Sequence, residues 1–138
     1  MTRQGKVAMA DGQAWGARRL DGQAFRKAAA QLMERALEGQ NCNPIIVLVV
    51  HAAIAYGDAL TARFGGVINR DRHDEVIRRV EAAMKGKADP AQMKRLAALL
   101  SDKTTFSYGS RIGRMEDARD KLTQLVRFET WAEEHFKP

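Results

Sequence analysis

The chain has 138 residues, which is the size of one domain and is long enough to bury a core of its own. Its 45% hydrophobic and 29% charged residues are ordinary for a soluble globular protein. The single cysteine, Cys42, excludes an internal disulfide. With no second Cys or clustered His near it, a structural zinc site is also unexpected.

A net charge of +6 favours an anionic partner, chiefly nucleic acid or an acidic protein surface. The longest apolar stretch, 44–56, is interrupted by His51 and is too short for a membrane span. The first residues lack the apolar core that a signal peptide needs. We therefore predict a cytoplasmic protein that does not contact a membrane.

Residues 1–20 show no sustained periodicity, and we predict a loosely ordered segment there. From residue 21 to residue 138 the apolar spacing is helical. Pro44 and Pro90 each follow a capping residue, Asn43 and Asp89, which is a signal for a helix start. The predicted helices are 21–38, 44–64, 73–85, 90–100 and 115–134.

No segment alternates with period two for long enough to predict a strand. The apolar run "IIVLVV" at 45–50 stands between helical patterns and is interpreted as part of a buried helix. Five helices with short connections predict an all-α fold, an antiparallel up-and-down helical bundle.

The second predicted helix carries two polar residues, His51 and Asp58, among small and apolar ones. Seven residues apart, they share one face but are separated by roughly 10 Å along the axis, too far for a hydrogen bond between them. With Ala55 and Ala62 they form a polar and small stripe suited to close approach by another helix, of this subunit or of a second one. The two polar groups are either satisfied between helices or are part of an active site completed from elsewhere.

Three stretches, "HAAIAYGDALTARFGG", "RHDEVIRRV" and "FSYGSRIGRMEDARDKLTQLVRFETWAEE", resemble bacterial HEPN-domain proteins over about residues 23 to 134. The resemblance lies in the order of their short motifs. These are an Asp-Ala pair at Asp58, a His-acidic loop at 72–75, and a Tyr at 108 followed by an Asp-Ala pair at Asp117.

The resemblance implies a helical bundle that forms a two-fold homodimer. Many members of that family are metal-independent ribonucleases, often toxins, with an Arg followed four to six residues later by a His. Others lack this signature and act as antitoxins, as partners of nucleotidyltransferases or as RNA-associated scaffolds. This chain departs from the signature, because only two residues separate Arg70 from His73 and seven separate Arg127 from His135.

Metal-free RNA cleavage needs a base for the 2′-hydroxyl and a cation for the phosphate. His73 is the candidate base, with Arg70, Arg72 or Arg111 supplying the charge; of these, Arg70 is the candidate catalytic partner and Arg72 a nearby phosphate ligand. The other interpretation of this segment is a solvated loop whose acidic residues favour the start of the third helix.

A second candidate site is the segment "YGSRIGR" at 108–114, with Lys103 upstream. Tyr108 beside Arg111 and Arg114 is a combination that holds single-stranded RNA or a nucleotide by stacking and phosphate contacts. The alternative is that the segment only connects two packed helices.

We therefore predict a regulatory or RNA-associated protein, with RNA, a nucleotide or a cognate toxin or antitoxin protein as its partner. A metal-independent endoribonuclease and a non-catalytic dimerisation module are the alternatives. No phosphate-binding glycine loop and no His/Cys cluster is present, so we predict neither a cofactor nor a metal.

Overall fold

The structure, a computed structural model, describes residues 7–9, 12–69, 75–103, 106 and 111–138. Side chains are described from residue 12 onwards, except the side chain of residue 69. Its elements in chain order are β1 (Val7–Met9), α1 (Ala14–Arg35), α2 (Asn43–Gly65), β2 (Val67–Asn69), α3 (Val76–Met84), α4 (Pro90–Asp102) and α5 (Met115–Phe136). In the part of the chain that the structure describes, five helices pack against one another, which confirms the predicted all-α bundle.

The central element is α2, which packs against each of the other four helices. Nearly every residue from Ile45 to Ala62 is buried, on all sides of the helix. A helix that is apolar around most of its circumference is expected in the middle of a fold.

With 23 residues, α2 is also long and apolar enough to cross a membrane, so the shortness of the stretch 44–56 does not by itself exclude a span. However, 83% of its most apolar window is buried within the fold, as in the core helix of a soluble protein. Cytoplasmic location stays a prediction.

The first helix begins earlier than predicted, at Ala14 instead of Asp21. Its inner face combines arginines with partly buried aromatic residues such as Trp15 and Phe25, and only Gly22 and Ala29 are buried among its residues. The usual apolar spacing is therefore absent from its first turns, although those turns are helical and in contact with α2. The prediction of a loosely ordered segment is wrong for residues 14–20.

A short pair of antiparallel strands is a further departure from the predicted elements. β1 pairs with β2 in the register Val7 with Asn69, Ala8 with Ile68 and Met9 with Val67. Strands of three residues are too short to show an alternating pattern, so the sequence contains no signal for them.

The remaining helices follow the sequence closely. Asp89 caps α4 as predicted, its side chain accepting from the N–H of Ala91 at 2.8 Å. α5 begins at Met115 as predicted, and its buried residues are Ala118, Leu125, Phe128, Ala132 and Phe136. In α3 the described helix starts at Val76, and the predicted first residues, 73 and 74, lie outside the described residues.

Candidate functional site

A groove runs beside the first turns of α2, where the chain after α4 crosses the end of the bundle. Its volume is about 540 Å³. The groove is lined by Asn41, Asn43, Pro44, Val47, His51, Lys103 and Phe106. Two residues from separate predictions, His51 of the small stripe and Lys103 of the RNA-contact segment, therefore come together.

Asn43 fixes one wall of this groove. Its Nδ2 donates to the carbonyl oxygens of Phe106 at 3.3 Å and Arg111 at 3.1 Å. Its Oδ1 accepts from the N–H of Gly113. Asn43 was predicted as a helix cap, but it ties α2 to Phe106, Arg111 and Gly113 instead, and Cys42 is the residue at the cap position.

The backbone at Gly113, which is buried, can lie this close to α2 because glycine has no side chain. A Cβ atom at this position would overlap Ile46 and lie 3.0 Å from Oδ1 of Asn43. The carbonyl oxygen of Gly113 also accepts from the N–H of Cys42 at 2.9 Å. The groove wall is therefore rigidly attached to the core helix.

His51 is exposed, and its imidazole ring stacks on Phe25 of α1 with the ring centres 5.5 Å apart. Lys103 is half-buried and forms no ion pair with another described residue. Phe106 is buried beneath the guanidinium group of Arg111, which lies 5.2 Å from the ring centre. The imidazole of His51 and the ammonium group of Lys103 thus line one opening, and Arg111 lies over its lining residue Phe106.

The two predicted phosphate-binding arginines are placed differently. Arg111 is 62% exposed and pairs loosely with Asp117 at 3.5 Å. Arg114 is exposed and precedes α5, where its N–H donates to Asp117 at 2.9 Å. It borders a second cavity of about 210 Å³, which also contains Glu38, Glu116 and Arg119.

The rest of the small stripe faces α1 of the same chain. Ala55 is fully buried, Ala62 nearly so, and Asp58 accepts two hydrogen bonds from the guanidinium group of Arg18, at 2.9 and 3.2 Å. The stripe is therefore covered within one chain, apart from His51. The candidate residues Arg70, Arg72, His73 and Tyr108 lie outside the described residues.

A polar network between α1, α2 and α5 was not anticipated. The Tyr56 hydroxyl donates to Glu129 at 2.8 Å, and Arg26 also binds Glu129. Arg19 and Gln23 bind Glu133, one turn further along α5. Arg19 and Arg26 share one face of α1, and Glu129 and Glu133 share one face of α5. This spacing was the signal in the sequence that could have indicated the network.

Burial and the adjacent Glu129 raise the pKa of Tyr56 far above its ordinary value. The hydroxyl group therefore stays protonated and serves as a hydrogen-bond donor. The paired acids and bases in this network satisfy one another, so the network holds helices together and offers no open reaction site.

No group of three His, Cys, Asp or Glu side chains in the described part of the chain is arranged to hold a metal ion. Comparison with protein families, with curated proteins and with solved structures gives no match to this chain. The resemblance to HEPN-domain proteins therefore stays a prediction.

Proposed function

We propose that the chain is a HEPN-like, RNA-associated regulatory protein that binds single-stranded RNA across the groove beside α2. The observation that carries this proposal is the charge of the groove. His51 and Lys103 line it, the exposed Arg111 stands over its residue Phe106, and none of its described lining residues is acidic. Lining of this kind favours a phosphate-bearing ligand.

The second cavity, beside the start of α5, is less suited to the same ligand. It carries Arg114 and Arg119, but Glu38 and Glu116 lie in the same lining. Acidic groups at that distance offset the attraction for phosphate, so we assign the main contact to the groove and only an outer contact to Arg114.

A titration of a labelled single-stranded RNA at several salt concentrations tests this proposal. Replacing both Arg111 and Arg114 by Ala should weaken binding and lower the salt slope by about one unit per lost phosphate contact. A matched double replacement by Ala of two exposed cations elsewhere, Lys94 and Arg127, should change the RNA affinity and the salt slope less. Equal effects from the two double variants would place the RNA contact outside this surface.

The same incubation, carried out in EDTA, tests the endoribonuclease alternative. Cleavage that persists without metal and is lost in His73→Ala would favour the enzyme with His73 and Arg70 as catalytic residues. Salt-sensitive binding without cleavage supports the regulatory protein. Absence of both would favour a dimerisation module, or a protein partner in a toxin–antitoxin or nucleotidyltransferase-linked system.

A further inference from the structure

The groove beside α2 has the size of a small-molecule site. Its volume of about 540 Å³ is far larger than a phosphate ion needs and falls within the usual range for small ligands. An RNA backbone that only crossed the surface would leave this space unfilled. The groove is wide open to solvent, so its volume leaves room for a group of nucleotide size to lie in it.

Much of the lining is suited to a flat ring. Pro44 and Val47 contribute apolar surface, and Phe106 is only 5% exposed, so the ring open to a ligand is that of His51. The His51 ring is held in place by its stacking on Phe25, so it does not lose freedom when a ligand packs beside it. Nucleobases pack against aromatic and histidine rings in this way.

The polar groups left in the groove are donors. Asn41 accepts from the N–H of Asn43 through Oδ1 at 3.0 Å, which leaves its Nδ2 to donate. Both amide atoms of Asn43 are engaged with backbone groups, so this residue shapes the groove instead of contacting a ligand. Lys103 adds an ammonium group. A ligand for this groove therefore presents acceptors and negative charge.

We infer that the groove binds one unstacked nucleotide, with its base beside His51 and its phosphate at Lys103. This inference rests on the proposed RNA binding and specifies which part of the RNA is held. The chain would thereby recognise an unpaired nucleotide in a single strand, and Arg111 would contact a neighbouring phosphate outside the groove.

Calorimetric titration of the full chain with the four ribonucleoside 5′-monophosphates tests the inference, with the nucleosides and inorganic phosphate as partial ligands. At least one monophosphate should bind more tightly than its nucleoside and than phosphate. His51→Ala should weaken it about tenfold, the usual scale of a lost base stack, whereas His51→Phe retains a ring and should lose less. Lys103→Ala should remove the advantage of the monophosphate over the nucleoside.

Lys94→Ala, an exposed lysine on α4, is the matched control and should leave affinity unchanged. Monophosphates that bind no better than inorganic phosphate, or equally to wild type and both His51 variants, would overturn the inference. RNA binding without nucleotide binding rejects the groove site alone. Nucleotide binding without RNA binding supports the groove site and rejects the proposed function.

Discussion

Tyr56 is fully buried in the middle of α2, and its hydroxyl donates to a carboxylate that also binds an arginine. Burial disfavours the phenolate, and the charge of Glu129 disfavours it further. The folded protein therefore holds this proton more tightly than the unfolded chain does. The consequence is a stability that depends on pH in the alkaline range.

The raised pKa of Tyr56 predicts the direction of that dependence. Its stabilising contribution is fully present below the unfolded pKa of about 10 and is lost as pH rises above that value, because only the unfolded chain ionises there. Denaturant unfolding of wild type should show a falling stability above pH 10, with a shallower fall in Tyr56→Phe. At pH 7 this variant should lose about 1–3 kcal/mol, since Glu129 loses a donor. Identical alkaline slopes would contradict the prediction.

Two glycines in α1 provide a matched pair of substitutions. A Cβ atom at Gly22 would lie 2.8 Å from the Tyr56 ring, whereas a Cβ at Gly16 would meet nothing within 4 Å. Gly22→Ala should therefore cost about 1–3 kcal/mol by overpacking. Gly16→Ala should stabilise the helix by about 0.4–1 kcal/mol. Thermal unfolding distinguishes them, and a loss of stability in both variants would contradict this account.

At the scale of elements, α1 is attached to the bundle by three ion pairs as well as by its partly buried aromatic residues Trp15 and Phe25. Arg18 binds Asp58 of α2, and Arg19 and Arg26 bind glutamates of α5. Partly buried pairs of this kind depend on good geometry and weaken as salt screens them. The position of α1 should therefore be more sensitive to ionic strength than the apolar contacts among α2, α3 and α4.

Glu133→Gln tests this dependence, with the exposed Glu134→Gln as its control. Glu133 binds Arg19 and Gln23, and the substitution should cost about 1–3 kcal/mol in dilute buffer. The difference in unfolding free energy between this variant and wild type should decrease in 1 M salt, where the screening length is about 3 Å. Glu134 pairs only with exposed Lys137, and its variant should stay within about 0.5 kcal/mol of wild type. A gap for Glu133→Gln that is unaffected by salt would be evidence against an electrostatic attachment.

The elements differ in how far the sequence could predict them, for a physical reason. α2, α4 and α5 bury apolar faces. The spacing of their apolar residues, together with a proline or acidic residues at their starts, was therefore sufficient to predict these helices. The beginning of α1 contacts the bundle through Trp15, Arg18 and Arg19, and a face with one aromatic residue and two arginines does not show the apolar spacing of a helix. The strands have three residues each and depend on a partner sixty positions away in sequence.

For the whole molecule, the surface available for self-association differs from the predicted one. The stripe at Ala55, Asp58 and Ala62 is covered by α1 of the same chain. The expected homodimer thus needs another surface. The groove was equally hidden from sequence reasoning, because Lys103 follows α4 and His51 lies within α2, and only the packing of the folded chain brings them together.

Light scattering after gel filtration tests self-association and the stripe together. The resemblance predicts a mass about twice the chain mass of 15.4 kDa. Asp58→Asn should leave that mass unchanged and reduce stability by about 1–3 kcal/mol, because Asp58 binds Arg18 within the chain. If Asp58→Asn changed the measured mass from that of two chains to that of one chain, the stripe would lie between subunits.

The central position of α2 has a consequence for the order of synthesis. The nascent chain exposes this apolar helix as soon as it is made, whereas α5, which covers one side of it, follows α4 and is synthesised last among the five described helices. Until then, that side of α2 has no partner from its own chain and is open to chaperones and to other nascent chains. A ribosome-bound chain should therefore remain prone to aggregation until α5 has emerged.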